Sequence, residues 1–217
     1  MRRRTFPVAP DLSPVRTEDL IDRAGALRPR AGGYRVSGFE FFFSLFGLVL
    51  GLSLAEGLSG LARSIKARHR VRIGYPTALL GLFVSCDVVT FWIYGWSIRD
   101  LLPLTWPVLF GGFAVTAIYF VSASLIFPDD PDEWGDLDSH FDLHGRKVLA
   151  GVFLCNLALV ATAAALGAMP AFDLRSAILT WSFFPVTALA IAVKRRGVVI
   201  ACLAWLIALY PLSALWR

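Results

Sequence analysis

Hydrophobic and polar positions are gathered into blocks along this chain: apolar runs of about twenty residues alternate with short charged segments. At 1.5 Å per residue, a helical run of that length crosses a hydrocarbon layer about 30 Å thick. The blocks predict helices at about 39 to 62, 75 to 98, 103 to 127, 148 to 168, 175 to 193 and 197 to 216. In lipid every backbone N–H and C=O must be paired inside the protein. A helix does this within one segment, whereas barrel strands would be about ten residues long with alternating polarity. The predicted fold class is therefore all-α, an integral membrane bundle of six transmembrane helices.

Composition agrees and excludes an ordinary soluble domain. Of 217 residues, 57% are hydrophobic and 17% charged, and the mean hydropathy is +0.64. Two regions follow: a basic, flexible tail over residues 1–37 and a membrane domain over 38–217 that carries an acidic loop at 128–147. The tail offers one short helix, opened by Thr17 and ended before Pro29. Its Arg3-Arg4 pair lacks the apolar stretch of an export signal. Pro103 and Pro107 fall in the first turns of the third span, where a missing N–H costs least, while Pro185 is mid-span and predicts a kink.

The net charge of +5 does not mark a nucleic-acid binder, because the cations flank apolar segments, as orientation signals do. Arg63, Lys66, Arg68, Arg70 and Arg72, then Arg146 and Lys147, then Lys194, Arg195 and Arg196 occupy three loops that share one side in a six-span topology. The positive-inside rule makes that side cytoplasmic and leaves both termini outside, in the periplasm if the membrane is a bacterial inner one. Trp92, Trp96, Trp106, Trp181 and Trp216 would form an interfacial belt on the outer side. The eight arginines of the tail pull towards the opposite orientation. Cys86, Cys155 and Cys202 each lie inside an apolar run, which reads as buried thiols and not as a disulfide framework.

The sharpest chemical feature is Asp87, near the middle of the uncharged stretch between Arg72 and Arg99. A charge at that depth costs about 2.5–3.5 kcal/mol on insertion scales, so the carboxyl must be protonated, paired or in contact with water. No Lys, Arg or His lies deep in a span to pair with it. Thr90 and Tyr94 share its helical face and carry a polar seam towards the outer end. Asn156 on the fourth span is a hydrogen-bond partner within the membrane, and Glu56 is a further acid for a proton or cation path. The alternative is purely structural: a neutral Asp87 bonded to Thr90, to a carbonyl or to Asn156 would lock the helices together. Glu56 in turn could simply extend its carboxylate to the interface.

Gly47, Gly51, Ala55 and Ser59 recur every fourth residue along the first span, a ridge of small side chains that lets another backbone approach. The expectation is helix packing, within the chain or between two copies in a homodimer. In the acidic loop, Asp136, His140 and His144 would lie one turn apart on a helix leading into span four, and an i, i+4 histidine pair is a candidate divalent-metal site. No Cys or third His completes the set, and an acid-rich loop is more simply solvated. An EF-hand register fails because Trp134 and Asp142 fall where ligand oxygens and a Glu are needed.

The sequence has no HExxH, no GxSxG, no phosphate-cradling glycine loop and no aspartate pair within a span, so it points away from an enzyme and to no cofactor. The runs Phe39-Glu40-Phe41-Phe42-Phe43, Gly51-Leu52-Ser53-Leu54-Ala55-Glu56, Arg70-Val71-Arg72-Ile73-Gly74 and Leu125-Ile126-Phe127-Pro128-Asp129 resemble hypothetical multi-pass proteins of bacterial genomes, over about residues 38 to 150. That resemblance implies a bacterial inner-membrane protein and transfers no site residue. Two functions remain in view. One is a small proton- or cation-conducting, transporter-like protein centred on Asp87. The other is a scaffold or accessory subunit in the bilayer that recruits partners through its acidic loop and basic tail.

Overall fold

The computed structural model describes residues 38–72 and 74–216. The tail of residues 1–37, its short helix and its arginine pair lie outside the described residues. The protein is all-helical, with six helices long and apolar enough to cross a membrane. They are α1 (Gly38–Ala67), α2 (Tyr75–Ser97), α3 (Trp106–Ser124), α4 (Leu137–Ala165), α5 (Leu174–Ala192) and α6 (Arg196–Leu215).

The boundaries follow local chemistry. Pro76 and Pro107 sit in the first turns of α2 and α3, where no backbone partner is lost. Pro103 lies in the connection before α3 and not in its first turn, because the chain stays extended through Thr105. The carboxylate of Asp136 accepts from the amide of Asp138 and caps α4, which starts eleven residues earlier than the apolar run alone predicts. Asp173 caps α5 through the amide of Ser176, and the Ser176 hydrogen bonds hold its carboxyl below the usual carboxylate range. The irregularity expected at Pro185 lies one turn earlier, as a π-helical turn over Ala177–Trp181 that closes with Ser182 N–H on the Ala177 carbonyl. A second internal proline, Pro211, is accommodated within α6.

α2 and α4 form the middle of the bundle. α1 and α3 close one flank, and α5 and α6 close the other. Glycines set the closest approaches. The Phe127 ring is wedged so that a Cβ on Gly60 would stand 2.7 Å from its own Cβ, and one on Gly81 3.0 Å from its ring. Phe46 of α1 lies against Gly112 of α3, and Ser122 of α3 against Gly151 of α4.

All three basic loops lie on one face and are tied together. The Leu137 amide donates to the Arg72 carbonyl, and the buried Thr77 hydroxyl donates to the Leu137 carbonyl at 3.1 Å. Arg70 pairs with Asp132, and Arg196 with Asp138 and Asp142. Trp92, Trp96, Trp106 and Trp216 are exposed towards the opposite end of the helices. The cysteines are free thiols, with Cys155 and Cys202 buried.

Candidate functional site

Four helices bring polar side chains together at the level of Asp87, which is 4% exposed. Tyr119 of α3, with no exposure at all, donates its hydroxyl to Asp87 Oδ2 at 2.7 Å. Asn156 of α4 donates through Nδ2 to the same oxygen at 2.9 Å, and Tyr210 of α6 donates its hydroxyl to Oδ1 at 3.0 Å. The Asn156 amide nitrogen also stands 3.1 Å from both the Tyr119 hydroxyl oxygen and the Val152 carbonyl. With two N–H bonds, it gives one to its own helix and shares the other between Asp87 and Tyr119. A carboxylate offers about four acceptor positions. Three are filled, and every donor is neutral.

The site meets open space on the side away from the basic face. A cavity of about 140 Å³ reaches Asp87 and Asn156, and Thr90, Tyr94 and Ser213 carry its polar lining away from the basic face. Thr90 returns its hydroxyl hydrogen to the Cys86 carbonyl at 2.9 Å, so its oxygen stays available as an acceptor. Towards the basic face, Phe83, Val84, Val148, Val152 and Leu203 are buried and apolar. A second cleft of about 350 Å³, lined largely by Phe42, Phe46, Trp92 and Val108, shares only Phe91 and Leu159 with the polar one.

Of the residues singled out from the sequence, Asp87 and Asn156 are in direct contact, and Thr90 and Tyr94 line the same cavity. Glu56 does not join them. It pairs with Arg63 at 3.3 Å, two turns along α1, which satisfies the acid without reaching the bundle interior. The small-residue ridge is likewise not the seam within the chain. Gly47 approaches the Trp92 ring, but a Cβ on Gly51 would meet nothing within 4 Å, and Ala55 and Ser59 are exposed. α1 meets α3 through Phe46 instead.

Asp136, His140 and His144 do not converge as ligands. Asp136 is occupied as the α4 cap. His140 is buried with Nε2 3.1 Å from the Leu125 carbonyl, and His144 stacks on the His140 ring with centroids 4.4 Å apart. Among the described residues, no group of three or more His, Cys, Asp or Glu is placed to hold a metal ion. Five of the loop's acids are engaged by the protein itself: Asp130 and Asp136 on amides, and Asp132, Asp138 and Asp142 on arginines.

Tyr119 and Tyr210 are the members of the Asp87 cluster that sequence reasoning missed. Their signal is a hydroxyl inside an apolar helix, which needs a partner once buried. Set against known protein families, curated proteins and solved structures, the chain matches none of them.

Proposed function

We propose that this is a bacterial inner-membrane protein that moves protons or a small cation, with Asp87 as the exchanging group and the basic face in the cytoplasm. The observation that carries the reading is a deep acid served only by neutral donors, with an acceptor position left over beside a polar cavity. Tyr119, Asn156 and Tyr210 can hold a carboxylate, yet none carries a charge that would fix it permanently in that form. Thr90, Tyr94 and Ser213 supply oxygens along the approach. The apolar side chains on the cytoplasmic side act as the closed gate, so passage requires the bundle to open there.

The test is flux into liposomes under an imposed potential, read with a pH-sensitive dye and a cation indicator. Wild-type protein is expected to exceed empty vesicles, and Asp87→Asn, checked for intact fold, to fall to their level. No flux above empty vesicles for either ion would overturn the reading. The three-donor coordination of Asp87 favours a second one. In it the cluster only fixes helix packing, and the protein is a membrane scaffold or accessory subunit, alone or as a homodimer through the exposed ridge of α1.

A further inference from the structure

A third cleft, of about 370 Å³, lies between α4 and the connection from α5 to α6. Its polar lining is Arg146, Lys194 and Arg196 against a single carboxylate, Asp142. Arg196 is bonded to both Asp138 and Asp142, so two carboxylates share one guanidinium and fix it at the cleft. Arg146 and Lys194 are exposed and have no ion-pair partner among the described residues. The cleft therefore presents two cations without an ion-pair partner beside a guanidinium held by two carboxylates, and three cations against two carboxylates leave its formal charge positive.

The charge placement runs against local helix chemistry. Positive side chains at a helix N-terminus oppose its dipole, and polar caps are preferred there. α6 nevertheless starts with Arg195 as an N-cap that gives no side-chain hydrogen bond, followed by Arg196.

The other wall is apolar. Leu149 and Val199 belong to the buried core of the bundle, and Val193 joins them at the cleft. It lies at a helix boundary: α5 ends at Ala192 and α6 begins at Arg196, both helices being long and apolar enough to cross a membrane. α4, with 29 residues and a length of about 43 Å, is longer than a hydrocarbon layer of about 30 Å, and Arg146 stands nine residues in from its start.

A cationic floor with an apolar wall at the ends of membrane-length helices matches one ligand chemistry, a phosphate ester carrying acyl chains. We propose that this cleft holds the headgroup of an anionic phospholipid, with Arg146 and Lys194 on the phosphate and an acyl chain starting against the half-buried Val193. Free phosphate shares the charge but gains nothing from the apolar wall.

The test uses the full chain in a neutral detergent. It is titrated with phosphatidylglycerol or phosphatidylcholine of identical acyl chains, and bound lipid is read by native mass spectrometry. Phosphatidylglycerol is expected to bind the more tightly, and Arg146→Gln/Lys194→Gln to weaken it about thirty-fold, in line with the contribution of two basic side chains at an anionic surface. The control Lys66→Gln/Arg68→Gln removes the same charge from the neighbouring loop and should leave binding unchanged. Both cleft residues are exposed, and thermal melting confirms the fold. If the double variant melts early, Lys194→Glu alone is read in its place and should also lose the preference. Equal binding of the two lipids, or an equal loss in the control, would overturn the proposal. So would displacement of phosphatidylglycerol by millimolar inorganic phosphate, which would mark a site for a soluble anion.

Discussion

Tyr210 and Asp87 stand 123 positions apart in the chain and meet with the phenol oxygen 3.0 Å from carboxylate Oδ1. Tyr119 takes the other oxygen and in addition accepts from Asn156. The two tyrosines therefore differ in what their loss exposes. Tyr119→Phe removes one donor and one acceptor at a fully buried position, and should cost about 2 kcal/mol, against about 1 kcal/mol for the part-buried Tyr210→Phe. Thermal unfolding of the two variants in one detergent checks the order, and a larger effect at Tyr210 would refute it.

Glycine positions on α1 should separate in the same assay. Gly60→Ala places a methyl 2.7 Å from the Phe127 Cβ, and overpacking of this kind costs about 1–3 kcal/mol. Gly51→Leu meets open space and should leave the melting temperature unchanged. If the exposed ridge joins two copies, the same Gly51→Leu change should abolish their chemical cross-linking.

On the basic face, a neutral hydrogen bond should outweigh an ion pair. Thr77→Val removes a buried hydroxyl from the Leu137 carbonyl and is expected to cost about 1 kcal/mol. Arg70→Gln breaks an exposed pair with Asp132, a type of contact whose contribution lies at about 0–1 kcal/mol and is screened by salt. Melting at low and high ionic strength distinguishes them: only the Arg70 effect should shrink with salt.

The cap of α5 is sensitive to acid. Asp173 accepts from Ser176 as a carboxylate, and those bonds hold its folded value below the unfolded one. Its contribution is thus complete above the usual aspartate value of about 3.9 and fades only as pH falls through the lower, folded value. Carboxyl NMR should show Asp173 titrating below the usual aspartate value of about 3.9, and a midpoint at or above that value would contradict the cap.

The number of helices was legible because span length is set by bilayer thickness, and Asp87 and Asn156 stood out because a charge or an amide inside lipid needs a partner. Tyr119 and Tyr210 were harder to find. A transmembrane helix is apolar on every side, so its pattern does not say which face turns inward, and a tyrosine among leucines gives no direction. The start of α4 was half legible: the spacing of Asp136, His140 and His144 already suggests a helix leading into span four, but the apolar run begins only at about 148, and nothing in the pattern marks Asp136 as the cap or Asp138 and Asp142 as partners of Arg196. Glu56 misled because its partner, Arg63, lies along its own helix.

α4 and α6 run in the same direction and are bridged twice. Arg196 reaches Asp142 near the basic face, and Asn156 and Tyr210 grip opposite oxygens of Asp87 deeper in the bundle. Fourteen residues separate Asp142 from Asn156, and fourteen separate Arg196 from Tyr210, about 21 Å on each rod. The two rods are graduated alike, so both bridges close at a single axial setting. Sliding one rod by a residue, about 1.5 Å, strains both bridges together, and the surface ion pair thereby gauges the alignment of the buried acid's partners.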